Sequence, residues 1–294
     1  MYKALFLLPC AAAALLPLSS GAAPDKGKAP RPVNLPFNTT AEEDDPHLAE
    51  GGLTLFYTTR KGGKDDIYAA QRRSALAAWP KKGRVIDDSY VPSKGDDRST
   101  FATEGRYPRF LYFATKRDEK NTNFDLFVAI KHGANKVWSA PTPVMNVNTD
   151  EDELYPWLTA SGKELYFSRK TKDGWRVFVA KRAGSTGPGG WQEPALVDLP
   201  ANFYHATLTP SGKTMYLQGP LGKGRTGLFV STRAAKGWDK PEPLESLNDP
   251  EGKTGDRSPN LSRRGDVLYF ASDRPGGKGG LDVWSVPTAQ LQKK

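Results

Sequence analysis

Asp256-Arg257-Ser258-Pro259-Asn260-Leu261-Ser262, a turn at Gly265, Leu268-Tyr269-Phe270 and then Asp282-Val283-Trp284-Ser285 make up one unit of a pattern that recurs through the chain. Its apolar centre returns as Leu55-Phe56-Tyr57, Leu111-Tyr112-Phe113, Leu165-Tyr166-Phe167 and Met215-Tyr216-Leu217, giving five units in all. A period of roughly fifty residues signals a repeat architecture, because each unit cannot bury its own apolar face and must stack on its neighbours.

Within each unit the segments are short and separated by turn residues. An extended piece such as Tyr155-Pro156-Trp157-Leu158-Thr159 runs into a glycine at Gly52, Gly105, Gly162, Gly212 or Gly265, where a tight hairpin needs positive φ. The Leu-Tyr-Phe core follows. A third segment reads Asp66-Ile67-Tyr68-Ala69, Asp125-Leu126-Phe127-Val128, Arg176-Val177-Phe178-Val179 or Gly227-Leu228-Phe229-Val230, and a fourth follows a tryptophan at Trp79, Trp138, Trp191 or Trp238. Four short antiparallel strands per unit make a blade, and blades packed face to face around an axis bury the repeated aromatics.

The last unit ends soon after Val286 and lacks a fourth strand. Pro32-Val33-Asn34-Leu35-Pro36-Phe37-Asn38-Thr39 precedes the first unit and is similar to the segment Val144-Met145-Asn146-Val147-Asn148-Thr149 that ends another. Pairing it with the last blade closes the ring and removes an open sheet edge. The sequence therefore predicts an all-β fold, a single five-bladed β-propeller of four-stranded antiparallel blades over residues 32–288, closed by its N-terminal strand, with a tail at 289–294.

At the N-terminus, Met1-Tyr2-Lys3, an apolar run to Leu18 and Ser19-Ser20-Gly21-Ala22-Ala23 read as a secretory signal peptide over residues 1–22, followed by a Pro-rich tether at 23–31. The expected location is periplasmic or secreted. A lipoprotein anchored at Cys10, the one cysteine, is disfavoured because Pro9 stands where a small residue is needed. No further segment is apolar over a membrane-spanning length. The net charge of +9 comes from interspersed signs, as in GDDRS and NTDEDE, so neither a nucleic-acid partner nor a membrane surface is implied. A monomer is expected.

These residues resemble the TolB-type, WD-like propeller repeat of bacterial exported proteins, whose unit runs from an acid through Pro, a Gly turn, Leu-Tyr-Phe and Ser-x-Arg to Asp-Ile-Tyr. The likeness is strongest over Asp256 to Trp284, with Ala271-Ser272-Asp273-Arg274-Pro275-Gly276-Gly277, and over Asn148 to Arg169. Five units depart from the six blades expected of TolB itself, so the resemblance implies fold and compartment rather than role.

Aligning the units places an acid three residues before the repeat Pro or its equivalent: Glu43, Asp97, Glu153 and Asp256, with Phe203 in the fourth unit. Acids at the starts of innermost strands are expected to converge on one channel mouth, where Tyr204 and His205 mark the unit that breaks the repeat. Such a ring would bind a cation, a basic peptide or a sugar. The competing reading is structural: Arg60, Arg117, Arg169 and Arg274 follow the unit cores, and the unit without the acid also lacks the arginine, which suggests ion pairs between segments.

His47, His132 and His205 lie in different units without metal-ligand spacing, so no transition-metal site or cofactor is expected, and calcium at the acid ring is the remaining metal reading. The leading functional expectation is a non-catalytic binding module for a protein, peptide or glycan partner in the cell envelope. The alternative is a glycoside hydrolase or lyase using channel carboxylates.

Overall fold

The computed structural model describes residues 29–86, 93–117, 122–184 and 187–291. The expected signal peptide, Cys10 and most of the expected tether lie outside the described residues, as does the end of the C-terminal tail. The strands in chain order are β1 (Val33–Asn34), β2 (Glu42–Ala49), β3 (Thr54–Lys61), β4 (Lys64–Gln71), β5 (Arg84–Val85), β6 (Asp97–Ala102), β7 (Arg109–Thr115), β8 (Asp125–Lys131), β9 (Thr142–Pro143) and β10 (Glu153–Leu158). They continue with β11 (Glu164–Thr171), β12 (Gly174–Lys181), β13 (Ala195–Leu196), β14 (Tyr204–Leu208), β15 (Thr214–Gly222), β16 (Arg225–Thr232), β17 (Glu242–Pro243), β18 (Asp256–Leu261), β19 (Val267–Ser272) and β20 (Asp282–Pro287).

These form five antiparallel sheets of four strands: β2-β3-β4-β5, β6-β7-β8-β9, β10-β11-β12-β13, β14-β15-β16-β17 and β18-β19-β20-β1. The fold is the expected five-bladed propeller. In the last sheet Val33 pairs with Ser285 and Asn34 with Trp284, so the first strand supplies the outer strand of the final blade and closes the ring. Two short 3₁₀ turns, Glu50–Gly52 and Thr288–Gln290, are the helical elements among the described residues.

The core divides into five apolar clusters, one between each pair of adjacent blades. Phe56 and Ile67 of the first blade meet Leu111 and Phe113 of the second, while Phe37 and Tyr269 of the last blade meet Leu48, Leu55 and Tyr57 of the first. A strand's alternate residues point to opposite faces, and both faces of a blade are covered. This is why Leu55, Phe56 and Tyr57 are buried in succession.

In the first four blades each fourth strand follows its tryptophan by several residues, and the ring lies under a basic side chain. Arg72 stacks over Trp79 at 4.1 Å, Arg182 over Trp191 at 4.3 Å and Arg233 over Trp238 at 4.4 Å. The same guanidinium groups donate to the carbonyls of the hairpin glycines Gly52, Gly162 and Gly212. One arginine thus fastens the first hairpin of a blade to the loop before its outer strand.

Candidate functional site

Every innermost strand carries a β-bulge at the same place: the register shifts between Asp44 and His47, Arg98 and Phe101, Leu154 and Trp157, Tyr204 and Thr207, and Arg257 and Asn260. Within each bulge one residue takes left-handed backbone: Asp45, Ser99, Tyr155, His205 and Ser258, at φ between 50° and 59°. None is glycine. Left-handed backbone in such residues costs free energy and concentrates where function over-determines it. Here it aims five side chains, one per blade, at the propeller axis.

The expected acid ring lies one step away from this set. Glu43, Asp97, Glu153 and Asp256 are each buried to at least 99% and clamp the loop that enters their own strand. Glu43 accepts from the Thr39 backbone and hydroxyl, Glu153 from those of Thr149, and Asp97 from those of Ser93, while Asp256 accepts from the Asp249 backbone N–H. Arg169 stands 2.7 Å from Glu153, Arg274 2.6 Å from Asp256 and Arg117 3.6 Å from Asp97. Arg60 does not reach Glu43. It pairs with Asp65 at 2.8 Å, and Lys278, which donates to the carbonyls of Pro36 and Asn38, is the cation that lowers the pKa of Glu43. Burial nevertheless pushes the Glu43 and Glu153 carboxyls above their ordinary value, more than their hydrogen bonds and cations offset.

In the fourth blade the register that sets Glu153 opposite Arg169 sets Phe203 opposite Gly219. The ionic pair is replaced by a ring laid over a residue without a side chain, which explains why acid and arginine are missing together.

The axis itself is lined by positions not singled out by the repeat. Arg98 binds three carboxylates, with Asp44 at 3.1 Å, Asp45 at 2.9 Å and Asp65 at 3.2 Å. Arg257 reaches Asp44 at 2.8 Å, and Ser258 Oγ lies 2.6 Å from Asp44 and 3.1 Å from Asp45. Asp45 also accepts from the hydroxyls of Thr58 and Ser99. Burial pushes the Asp44 carboxyl up, but Arg257, Arg98 and Ser258 together hold it well below the usual carboxylate range.

Facing this wall, His205 stacks on Tyr155 at 3.9 Å, and Tyr155 meets Tyr204 at 5.9 Å. Tyr204 lies flat against Trp175 at 5.2 Å, which gives the mouth a half-buried aromatic shelf. Burial holds the His205 imidazole neutral, with its pKa lowered to about 4, and the buried Nδ1 has no hydrogen-bond partner. Burial also raises the Tyr155 hydroxyl well above its ordinary value.

Asp45, Ser99, Tyr155 and His205 enclose an axial cavity of about 10 Å³, enough for one water and too small for a sugar ring. Among the described residues no group of three or more His, Cys, Asp or Glu is arranged to hold a metal ion, and no helix is long and apolar enough to cross a membrane.

Of the expected site residues, Tyr204 and His205 stand at the axis, whereas the four repeat acids stand behind it. Asp44, Asp45, Arg98, Tyr155, Arg257 and Ser258 were missed. The available signal was variation: directly after the repeat acid or its equivalent, the five units read Asp-Asp, Arg-Ser, Leu-Tyr, Tyr-His and Arg-Ser.

No family model matches the chain, and no curated protein matches it. Solved structures do. An α-L-arabinofuranosidase from Podospora anserina, in complex with cellotriose, superposes with a TM-score of 0.59 at 11% identity, over 90% of this chain and 92% of that one. A thermostable family-43 glycoside hydrolase gives a TM-score of 0.60 at 10% identity over 86% and 91%. An endo-arabinase from Bacteroides thetaiotaomicron gives 0.57 at 12% identity over 87% and 97%.

At such identities the likeness shows a shared fold. It corrects the TolB-type resemblance, since these fold neighbours are glycoside hydrolases, and the repeat motifs behind that resemblance are blade-building residues any propeller of this geometry can use. The expectation of a non-catalytic binding module is withdrawn on the same finding, since the proteins that share the fold are glycoside hydrolases.

Proposed function

We propose that this chain is an exported carbohydrate-active enzyme that cleaves glycosidic bonds at the mouth of its propeller channel. The observation that carries the reading is the convergence of Asp45, Tyr155 and His205, from three blades, on one water-sized axial cavity beneath an aromatic shelf. The fold shared with an arabinofuranosidase, a family-43 hydrolase and an endo-arabinase supports it.

Hydrolysis needs a carboxylate on one side of the scissile bond and a proton donor on the other. On this reading a sugar ring rests on Trp175 and Tyr204, where aromatic faces suit its apolar C–H surface. The small cavity takes the attacking water. Asp45, held by Arg98, Ser99 and Thr58, accepts the water's proton. The leaving oxygen takes its proton from Tyr155 or, in acid, from His205. Because His205 protonates near pH 4, turnover is expected to favour acidic conditions.

A specific observation favours a second reading, elimination from a uronate-bearing glycan. The channel pairs a neutral imidazole whose Nδ1 is unbonded with two arginines, Arg98 and Arg257. The arginines would bind the uronate carboxylate, His205 would take the α-proton, the electrons would form the C4–C5 double bond, and the C4–O bond would break with Tyr155 protonating the departing oxygen.

The test is product analysis with arabinan, arabinoxylan and polyuronate oligosaccharides from acid to neutral pH, using wild type, Asp45→Asn and Tyr155→Phe. Hydrolysis yields new reducing ends only, whereas elimination yields in addition an ultraviolet-absorbing unsaturated end. Cleavage lost in both variants supports the site. No cleavage of any of these substrates, or cleavage that survives both substitutions, overturns it.

A further inference from the structure

The innermost strands run from the Asp44–Arg98 mouth to the opposite end of the axis, and there a second and much larger cavity opens. It has a volume of about 460 Å³ and is formed by the last residues of the five innermost strands and the hairpin turns that follow them. Ligand sites for small organic molecules span roughly 300–1,000 Å³ and are mostly apolar with a few placed polar groups. Trp157 borders both this cavity and the small axial one, so the two lie end to end along the axis.

The walls are Phe101, Tyr107, Trp157, Leu158, Leu208 and Leu261. Phe101 meets Trp157 edge-on at 6.2 Å, and both rings are only partly buried by protein. The charges at the opening are unbalanced. Glu104 is taken by Arg263 at 3.4 Å and by the Gly51 backbone N–H. Arg182 is held by backbone carbonyls of Gly162, Gly187 and Gly189 and by the face of Trp191. Arg106 is exposed and pairs with no carboxylate among the described residues.

Arg106 and Tyr107 sit where the blades differ. The third, fourth and fifth blades turn their first hairpin with Thr159-Ala160-Ser161-Gly162-Lys163, Thr209-Pro210-Ser211-Gly212-Lys213 and Ser262-Arg263-Arg264-Gly265-Asp266, whereas the second uses Thr103-Glu104-Gly105-Arg106-Tyr107-Pro108. The longer turn brings to the opening an aromatic ring and a cation with no carboxylate partner among the described residues. Arg109 stacks over Tyr107 at 4.6 Å and pairs with Glu50 at 3.1 Å, which fixes the ring in place.

We propose that this cavity is a second ligand site, at the end of the propeller opposite the cleavage site, for a small carboxylate with an apolar body such as an aromatic or medium-chain acid. The body lies against Phe101, Trp157 and the leucines, and the carboxylate meets Arg106 at the rim. A neutral sugar could meet Thr103, Thr159, Ser161 and Ser262 but brings no charge for Arg106, which makes sugars the competing ligands of the test. The inference does not rest on glycoside cleavage and stands or falls separately.

The test is calorimetric titration of the full chain with cinnamate, octanoate and, as uncharged control, cinnamyl alcohol, together with xylose and arabinose. Saturable one-to-one binding of the acids is expected, with the alcohol at least about tenfold weaker, a difference of ~1.4 kcal/mol. Arg106→Ala is expected to weaken the acids to the level of the alcohol. Ala160→Trp, at an exposed rim position, is expected to block the cavity while leaving the melting temperature unchanged, and Asp45→Asn to leave acid binding intact. Absence of saturable binding, equal affinity for acid and alcohol, tighter binding of a sugar, or acid binding indifferent to both rim variants would overturn the proposal.

Discussion

His205 stacks on Tyr155 at 3.9 Å with the two rings 22° from parallel, and both residues are on left-handed backbone at equivalent positions of neighbouring blades. The stack covers one face of an imidazole whose charged form burial disfavours, and this links the acid stability of the fold to the site.

The folded pKa of His205 is lowered to about 4, as is that of His47, whereas an unfolded histidine titrates near 6.5. The neutral form is the folded form, so the stability these residues permit is complete above about pH 6.5 and is lost as pH falls toward about 4. Asp44 acts in the same direction further into acid, since its depressed pKa makes its contribution decline below the ordinary carboxylate range. Denaturant midpoints across this range should fall with decreasing pH in wild type. In His205→Gln the decline should be shallower by about one proton. An identical slope would mean that His205 is solvated.

Arg274→Met should destabilise the fold by about 3–5 kcal/mol, because it leaves the Asp256 carboxylate buried without its cation. Pairing it with Asp256→Asn should recover much of that loss, since the penalty belongs to the orphaned charge. Chemical denaturation of the single and double variants measures both effects. Strict additivity would show that the pair does not act as a unit.

Gly219→Ala should cost about 1–3 kcal/mol, since the new methyl would stand 2.6 Å from the Phe203 ring. Adding Phe203→Leu should relieve part of the loss. If Gly219→Ala melts as wild type does, the ring moves freely and the reading of this position as an aromatic-over-glycine replacement for the ion pair fails.

Asn38→Leu should weaken ring closure. The Asn38 side chain donates to the Val283 carbonyl at 2.8 Å and accepts from its N–H at 3.0 Å; the carbonyl keeps the Leu35 N–H, but the buried Val283 N–H is left without a partner, at a cost of about 1–3 kcal/mol. Asn148 with Leu126 and Asn248 with Leu228 make the same pair of bonds in other blades. Asn148→Leu should therefore lower stability as well. Proteolysis near the N-terminus should accelerate only in Asn38→Leu, where the closing strand is released.

The sequence by itself determined the five units, the four-stranded blade and the closure by residues around Val33. Each is a local pattern repeated at a fixed period, and stacking identical faces leaves one economical way to bury the aromatics. Repetition drew attention to Glu43, Asp97, Glu153 and Asp256, which recur because four of the five blades clamp their entering loop with an acid, and the clamp buries them behind the axis. Only the tertiary structure decided what lines the channel. Asp45, Ser99, Tyr155, His205 and Ser258 are four different residue types in five equivalent places, and a bulge in each of five innermost strands turns them toward one axis, where residues more than two hundred positions apart, such as Asp44 and Ser258, come within 2.6 Å. A repeat encodes what its units have in common, whereas a site is built from what they do not, and the relation among those differing residues exists only once the ring has closed.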